Sequence, residues 1–577
     1  VAPLTFAIFR KILMSESTSA NSAAEPVSRR HDLDALRGWA MLLGIVLHAS
    51  MSFFPVPWWV QDPQQNGLFG LLFLGIHGFR MPLFFLLSGY FTMLVYRRKG
   101  LSSLLKQRAL RILLPCLLGL VTVHPLLHVV GAWAGARVPR RPPAELPPLF
   151  AAIRSGDASA VQSQLRTGID LAQPDPVFQI RPLHWGALGG NPQIVADLVE
   201  ANAPLDQGDG QGNVPLNAAA FAGHAAVVEF LLEHGANPNA VNQEGRLPID
   251  VLEVPVEMTA GILQYLGLPP TNPETLAEGR RRAGELLTPV TQRPAGNWLE
   301  RVVRGYFQEL RSKKFEITWR GQPFHLVSTG VFDHLWFLWF LVWMIVAFAL
   351  VVWWLPERSR TADSAAHPGR WANGPIWGAI AATAIPQAFM GSDGPSLGPD
   401  TSTGWLVPPH LLMYYGLFFA VGCWIYSADH LSRSWTRHWK GWLTLSLLVL
   451  FPVAVVCLGS KTWSIVVQPL YAWLMSLGCL GLFERYLAHP SSRLRYLSDS
   501  SYWLYIAHMP VVVALQSVVS RWPGGAVVKF GLVMLAAIPL LLLSYHLLVR
   551  PTPLGWLLNG RIERRNSPRP QHAPPAT

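Results

Sequence analysis

The chain has 577 residues, of which 51% are hydrophobic and only 14% charged, with 24 tryptophans and a net charge of +12. Soluble proteins carry about 25% charged residues, so this composition excludes a disordered chain. A mean hydropathy of +0.27 points to a membrane body diluted by a soluble part. The basic surplus has three possible sources, nucleic acid, anionic lipid or membrane topology.

Residues 1–30 read as a disordered lead. The first strongly apolar run begins near Ala35 at spanning length, so no cleavable leader is expected. Runs near 35–54, 68–95, 109–132, 332–355 and 372–390 approach the roughly 20 residues that cross ~30 Å of hydrocarbon. Five more lie near 409–427, 438–458, 464–483, 499–520 and 528–549. The fold class predicted is all-α, a polytopic bundle of about ten membrane helices. Cys116, Cys423, Cys457 and Cys479 all fall inside apolar runs without CxxC spacing, and are expected to be packing thiols.

Basic residues alternate between loops. Arg97, Arg98, Lys99, Lys106 and Arg108 follow the second run; Arg433, Arg437 and Lys440 follow the sixth. Arg485, Arg493 and Arg495 follow the eighth, and Arg550, Arg561, Arg564, Arg565 and Arg569 the last. Lys461 and Arg521 are the visible exceptions in the opposite loops. The positive-inside rule then places both termini in the cytoplasm and the long segment 133–327 outside. That segment holds 17 Lys+Arg against 20 Asp+Glu, while the remainder holds 29 against 14. The net charge is therefore a topological signal, and no nucleic-acid partner is expected.

The long segment repeats itself. Pro182-Leu183-His184, Pro215-Leu216-Asn217 and Pro248-Ile249-Asp250 recur every 33 residues, as do Gly190 with Gly223 and Asn202 with Gly235. A looser copy runs through Pro148, Leu149, Gly156 and Gly168. A 33-residue period with proline-led helix starts and glycine stops is similar to ankyrin. Three to four repeats over 145–268 suffice for a stacked core. His184 and His224 hold ordinary repeat positions and read as structural. The block is acidic, with 4 Lys+Arg against 14 Asp+Glu; a protein partner is one reading and an inert spacer or lid the other. Residues 269–327 read as a linker with an amphipathic helix, in which Leu299, Val302, Val303, Tyr306 and Leu310 share a stripe. That helix either lies on the membrane surface or packs on the last repeat.

Ionisable residues inside membrane spans are functional candidates. In HDLDALRGWAMLLGIVLH, Arg37 and His48 are 11 residues apart, which at about 100° per residue returns them to within roughly 20° of one face. Asp34 joins that face one turn earlier, where it can orient or neutralise Arg37. Arg80 lies inside the second run. Arg108 and Arg111 are one turn apart at a basic mouth, a spacing that suits phosphate and equally suits ordinary membrane anchoring. Tyr505 and His508 are one turn apart in the ninth run, and His334 opens the fourth. No Gly-rich phosphate loop, HExxH motif or paired cysteine site occurs, so neither ATP hydrolysis nor a metal site is expected.

The arrangement of Arg, ten residues, then His on the first helix resembles the acyltransferase family 3 membrane proteins. FRMPLFFLLSGYF (79–91), KQRALRILLP (106–115), DHLWFLWFL (333–341) and SYWLYIAHMP (501–510) resemble further elements of that family in the same order. Within the family, LDALRGWAMLLGIVLH and DHLWFLWFL look most like members implicated in succinylating periplasmic glucans, although those lack an ankyrin insert. The resemblance implies an O-acyltransferase in two membrane segments, 31–132 and 328–550, with a cytoplasmic tail at 551–577. It would reside in a bacterial inner membrane, among lipid. Its co-substrate would be acyl-CoA, with no bound cofactor, and its acceptor a periplasmic glycan.

On this reading His48 is general base or acyl acceptor, supported by Arg37 and Asp34. Arg108, Arg111 and Arg80 hold the acyl donor, while Ser88, His334, Tyr505 and His508 line an acceptor site or channel. The alternatives are a glycan or precursor transporter and a membrane-anchored ankyrin interaction protein.

Overall fold

The computed structural model describes residues 30–559 apart from 57, 138–145, 243–245, 255, 271, 293–297, 320–321, 355–373, 392–396, 428–434 and 459. The expected disordered lead and most of the tail, with Arg433, Arg561, Arg564, Arg565 and Arg569, lie outside the described residues. The chain divides into two units, one formed by residues 1–139 with 305–577 and the other by 140–304.

The first unit is helical. Its main helices are α1 (His31–Ser50), α2 (Gly67–Arg108), α3 (Leu114–Arg137), α4 (Trp336–Trp354), α5 (Gly374–Gln387) and α6 (Pro409–Ser427). They continue with α7 (Trp439–Leu445), α8 (Lys461–Tyr486), α9 (Ser492–Val519) and α10 (Ala526–Ser544). Several are apolar on every face, as in α4, whose 19 residues include no charge, and such a helix must be buried in protein or lipid. A two-stranded antiparallel ribbon, β1 (Glu316–Trp319) and β2 (Gln322–His325), pairs Glu316 with His325.

Eight continuous helices among the described residues are long and apolar enough to cross a membrane; the expected ten are not all found as separate spans. The second and third expected spans run together as Gly67–Arg137, 71 residues, or about 107 Å at 1.5 Å per residue. No bilayer is that thick. Gly100 divides the run, with φ +76° and ψ 174°, a backbone state open to glycine alone at little cost. A π-turn at Ala109–Leu113 follows before α3. The fifth expected span gives the 14-residue α5, about 21 Å long and short of a full crossing.

Two contacts lock the bundle. A Cβ added to Gly89 on α2 would lie 1.9 Å from the Phe419 carbonyl of α6, and one on Gly422 of α6 would lie 1.9 Å from the Leu86 carbonyl of α2. The two backbones touch through reciprocal glycines, the close approach by which helices associate in lipid. Between α1 and α2, Asp62 accepts hydrogen bonds from Lys529 of α10 at 2.9 and 3.0 Å, with both side chains fully buried. Cys116, Cys423 and Cys479 are buried, and all four cysteines are free thiols, as expected.

The second unit carries helix pairs at the predicted period: Pro148–Ser155 with Ala158–Leu165, Pro182–Gly189 with Pro192–Glu200, and Pro215–Phe221 with Ala225–Glu233. The next pair is a 3₁₀ turn at Pro248–Glu253 and Val256–Tyr265. Gly156, Gly190 and Gly223 end the first helices at φ +76°, +71° and +71°, which explains their spacing. His184 Nε2 donates to the Asn213 carbonyl at 2.7 Å and His224 Nε2 to the Leu188 carbonyl at 3.1 Å, each binding the adjacent repeat. Residues 273–287, read from sequence as linker, form a further helix. Its buried Arg280 donates to Thr259 and to the Val251 and Val254 carbonyls, closing the end of the stack.

The amphipathic helix forms at Trp298–Leu310. In the first unit its Tyr306 hydroxyl meets His410 Nδ1 of α6 at 2.8 Å, so the C-terminal half of the stripe faces the membrane body. Val302 is half exposed.

Candidate active site

Three histidines from three separate segments meet. His48 lies in the last turn of α1, His508 in α9, and His334 in the 3₁₀ turn Asp333–Leu335 that leads into α4. His48 Nδ1 and His508 Nε2 are 2.9 Å apart. The tautomers follow from the carbonyls. His508 Nδ1 lies 2.7 Å from the Tyr505 carbonyl, and a carbonyl only accepts, so Nδ1 carries the proton and Nε2 of neutral His508 is an acceptor. His48 must then donate through Nδ1–H, which leaves its Nε2 as the lone-pair nitrogen. Besides His508, the His48 ring has a backbone hydrogen-bond contact with Gly44, one turn earlier. His334 Nε2 donates to the Ile506 carbonyl at 3.0 Å, and Tyr505 donates its hydroxyl to the His334 carbonyl. The α4 entrance is thereby fastened to the turn of α9 that bears His508.

Sequence reasoning missed the residues that hold His48. Trp58 stacks on its ring at 5.9 Å between centroids and 7° between planes. Gln516 Nε2 donates to the His48 and Ala49 carbonyls at 3.0 and 3.1 Å, and its Oε1 accepts from Trp58 Nε1 at 2.9 Å. A lone glutamine in an apolar run was the available signal for Gln516; Trp58, in a loop, offered none.

The arginines regroup. Arg80, assigned from sequence to the donor site, is buried with its guanidinium against Gly44, one turn before His48: a Cβ there would lie 2.2 Å from Nη1. Its charge acts on both His48 and His508. Among the described residues no carboxylate pairs with Arg80, and its Nε has no hydrogen-bond partner. Arg37, assigned to the catalytic group, stands about 16 Å from His48 along α1 by helical rise. It donates to Ser498 Oγ at 2.7 Å and to the Ser498 carbonyl at 3.1 Å, with Asp34 3.8 Å away. Arg108 lies within electrostatic reach of both Arg37 and Arg111 and donates to Thr92 at 3.2 Å. The helical face that aligns Arg37 with His48 is real, and their separation of about 16 Å is the one their spacing in sequence gives. Ser88 sits beside Gly89 at the α2–α6 crossing and bonds to none of these residues.

The fold and site thus define a polytopic membrane protein with an imidazole pair and an unpaired buried cation at one end of α1, and an arginine cluster at the other. Residues 30–136 and 294–546 match the acyltransferase domain of family 3, and 149–242 match three ankyrin repeats. The match covers more than half of the chain, which therefore belongs to this acyltransferase family. Glucans biosynthesis protein C of Escherichia coli strain K12 is 37% identical over 102 residues, covering 18% of this chain and 26% of that protein. The proteins of the same name from strain SMS-3-5 and from O1:K1 / APEC match equally. The aligned stretch spans about a quarter of the length of these relatives.

Proposed function

We propose that the chain is a membrane-embedded O-acyltransferase that moves an acyl group, succinyl or acetyl, from cytoplasmic acyl-CoA to hydroxyls of an envelope glycan of the periplasmic glucan class. The observation that carries this reading is the lone-pair Nε2 of His48 beside Arg80, a buried cation without a carboxylate partner. An unpaired buried charge costs several kcal/mol, and its retention within the membrane marks a functional site.

Arg108, Arg111 and Arg37 hold the phosphates of the donor at the cytoplasmic end, and the thioester arm extends along α1 to His48. There His48 Nε2 takes the proton of the attacking hydroxyl. The hydroxyl oxygen bonds to the thioester carbonyl carbon, and the carbonyl oxygen becomes an oxyanion facing Arg80. Collapse breaks the carbon–sulfur bond, the ester leaves on the glycan, and the thiolate takes the proton back from His48. Asp34 orients Arg37; His334, Tyr505 and His508 shape the acceptor end, with Ser88 along the route. Both termini lie in the cytoplasm of a bacterial inner membrane, and the repeats face the periplasm, where they take a protein partner.

The test is direct. Purified protein incubated with succinyl-CoA or acetyl-CoA and glucan should yield ester detectable by mass spectrometry, and His48→Ala should not. Equal yields from both proteins would refute the mechanism. A reporter fused near residue 210 that reads as cytoplasmic would refute the orientation.

A further inference from the structure

A second polar cluster lies apart from the imidazole pair, where α3 meets the entrance to α4. His124 and His128 are four residues apart on α3, so their rings meet on one helix face, with centroids 4.6 Å apart and planes tilted by 56°. Asp333, 205 residues beyond His128, points between them. His124 Nε2 and His128 Nε2 lie 3.1 and 3.0 Å from the same Asp333 Oδ2, and 3.3 Å from each other. The three atoms form a nearly equilateral triangle.

Those edges carry the argument. Zinc bonds to imidazole nitrogen and carboxylate oxygen at about 2.0–2.1 Å in tetrahedral sites. Adjacent ligand atoms in such a site are therefore about 3.3 Å apart. A triangle with edges of 3.0–3.3 Å has room for the ion about 1 Å above its plane, with every ligand distance near its usual value. The fourth position faces away from the three ligands and is left for water. Two imidazoles and one carboxylate are borderline and hard donors, a set that suits divalent zinc and its first-row neighbours.

The surroundings favour a held geometry. The Trp59 ring meets His128 edge-on at 5.3 Å and 82°, and packs against Gly131, where a Cβ would lie 2.1 Å from the indole. His128 is half exposed and Asp333 about a third exposed, so an ion can reach the site.

We propose that His124, His128 and Asp333 bind one divalent transition-metal ion of the zinc class. The proposal is independent of the acyl-transfer reading, since it concerns other side chains and its test measures binding alone. An ion here fastens α3 to the start of α4. It also holds Asp333 next to His334, whose carbonyl takes the Tyr505 hydroxyl. Closing so long a loop with a metal gives the clip its greatest effect on the unfolded chain.

Untagged full-length protein in detergent should be stripped with chelator, equilibrated with zinc chloride and desalted, and the metal counted by mass spectrometry. One zinc per chain is expected in wild type and in His234→Ala, which alters an exposed histidine of the repeats. His128→Gln and Asp333→Asn should each lose most of it, and the double variant all of it. Equal zinc content in wild type and the double variant would overturn the proposal, as would no retained zinc in wild type. If the variants aggregate, zinc-edge X-ray absorption on the wild type decides: two imidazoles and one carboxylate are expected, and a shell with sulfur or without imidazole overturns it.

Discussion

His508 holds His48 in one tautomer, and its removal has a size that can be worked out in advance. In His508→Phe an aromatic ring is kept but the Nε2 acceptor, 2.9 Å from His48 Nδ1, is gone. The Nδ1–H bond to the Tyr505 carbonyl goes as well, but the loss felt at His48 is one neutral hydrogen bond, worth about 0.5–1.5 kcal/mol. At 1.36 kcal/mol per factor of ten, ester formation should fall about 2- to 13-fold. Under the proposed mechanism His48→Ala removes the proton acceptor itself, and general-base catalysis contributes about 10²- to 10⁴-fold. The double variant should be no slower than His48→Ala, because a residue that acts through another has nothing left to act on. His508→Gln, whose amide oxygen can accept the same proton, should recover part of the loss. The assay is the initial rate of ester formation on glucan under saturating acyl-CoA. A His508→Phe loss as deep as that of His48→Ala, or losses that multiply in the double variant, would refute this hierarchy and make His508 a base in its own right.

Two further outcomes follow from the fold. Gly89→Ala places a methyl 1.9 Å from the Phe419 carbonyl, a clash that only separation of α2 and α6 relieves. Such overpacking costs about 1–3 kcal/mol or more; the melting temperature of detergent-purified protein should fall, and adding Gly422→Ala should cost less than the sum, because both act at one crossing. An unchanged melting temperature would contradict the contact. In the repeats, burial lowers the pKa of both His184 and His224 below the ordinary 6.5. The unfolded chain therefore binds more protons than the folded one below about pH 6.5, and stability falls as pH falls through that window. Hydrogen exchange of peptides from 182–236 in the full chain, corrected for intrinsic rates, should be faster at pH 5.5 than at 7.5; equal or slower exchange at pH 5.5 would refute this.

The repeats were legible because their period is local: each proline and glycine acts within its own 33 residues. The membrane helices were legible for the same reason, since an apolar run carries its own length. What could not be read was pairing across the chain. His48 and His508 each stood out alone, yet nothing in either neighbourhood indicates that they bond. The boundary between the second and third spans was visible as the basic stretch Arg97, Arg98 and Lys99, and the helix breaks just after it at Gly100. The His124–His128 spacing was visible, but its third member lies beyond the whole insert.

The contacts at the two ends of the chain also impose an order in time. His48 waits for His508, 460 residues later, and Asp62 for Lys529, 467 residues later. At the usual synthesis rate of about 5–20 residues per second, α1 resides in the membrane for roughly 20–90 s before either partner emerges. A chain truncated before α9 would carry the first motif and hold neither contact. The imidazole pair and the buried ion pair are completed only by the last helices, so an unfinished copy of this protein lacks both.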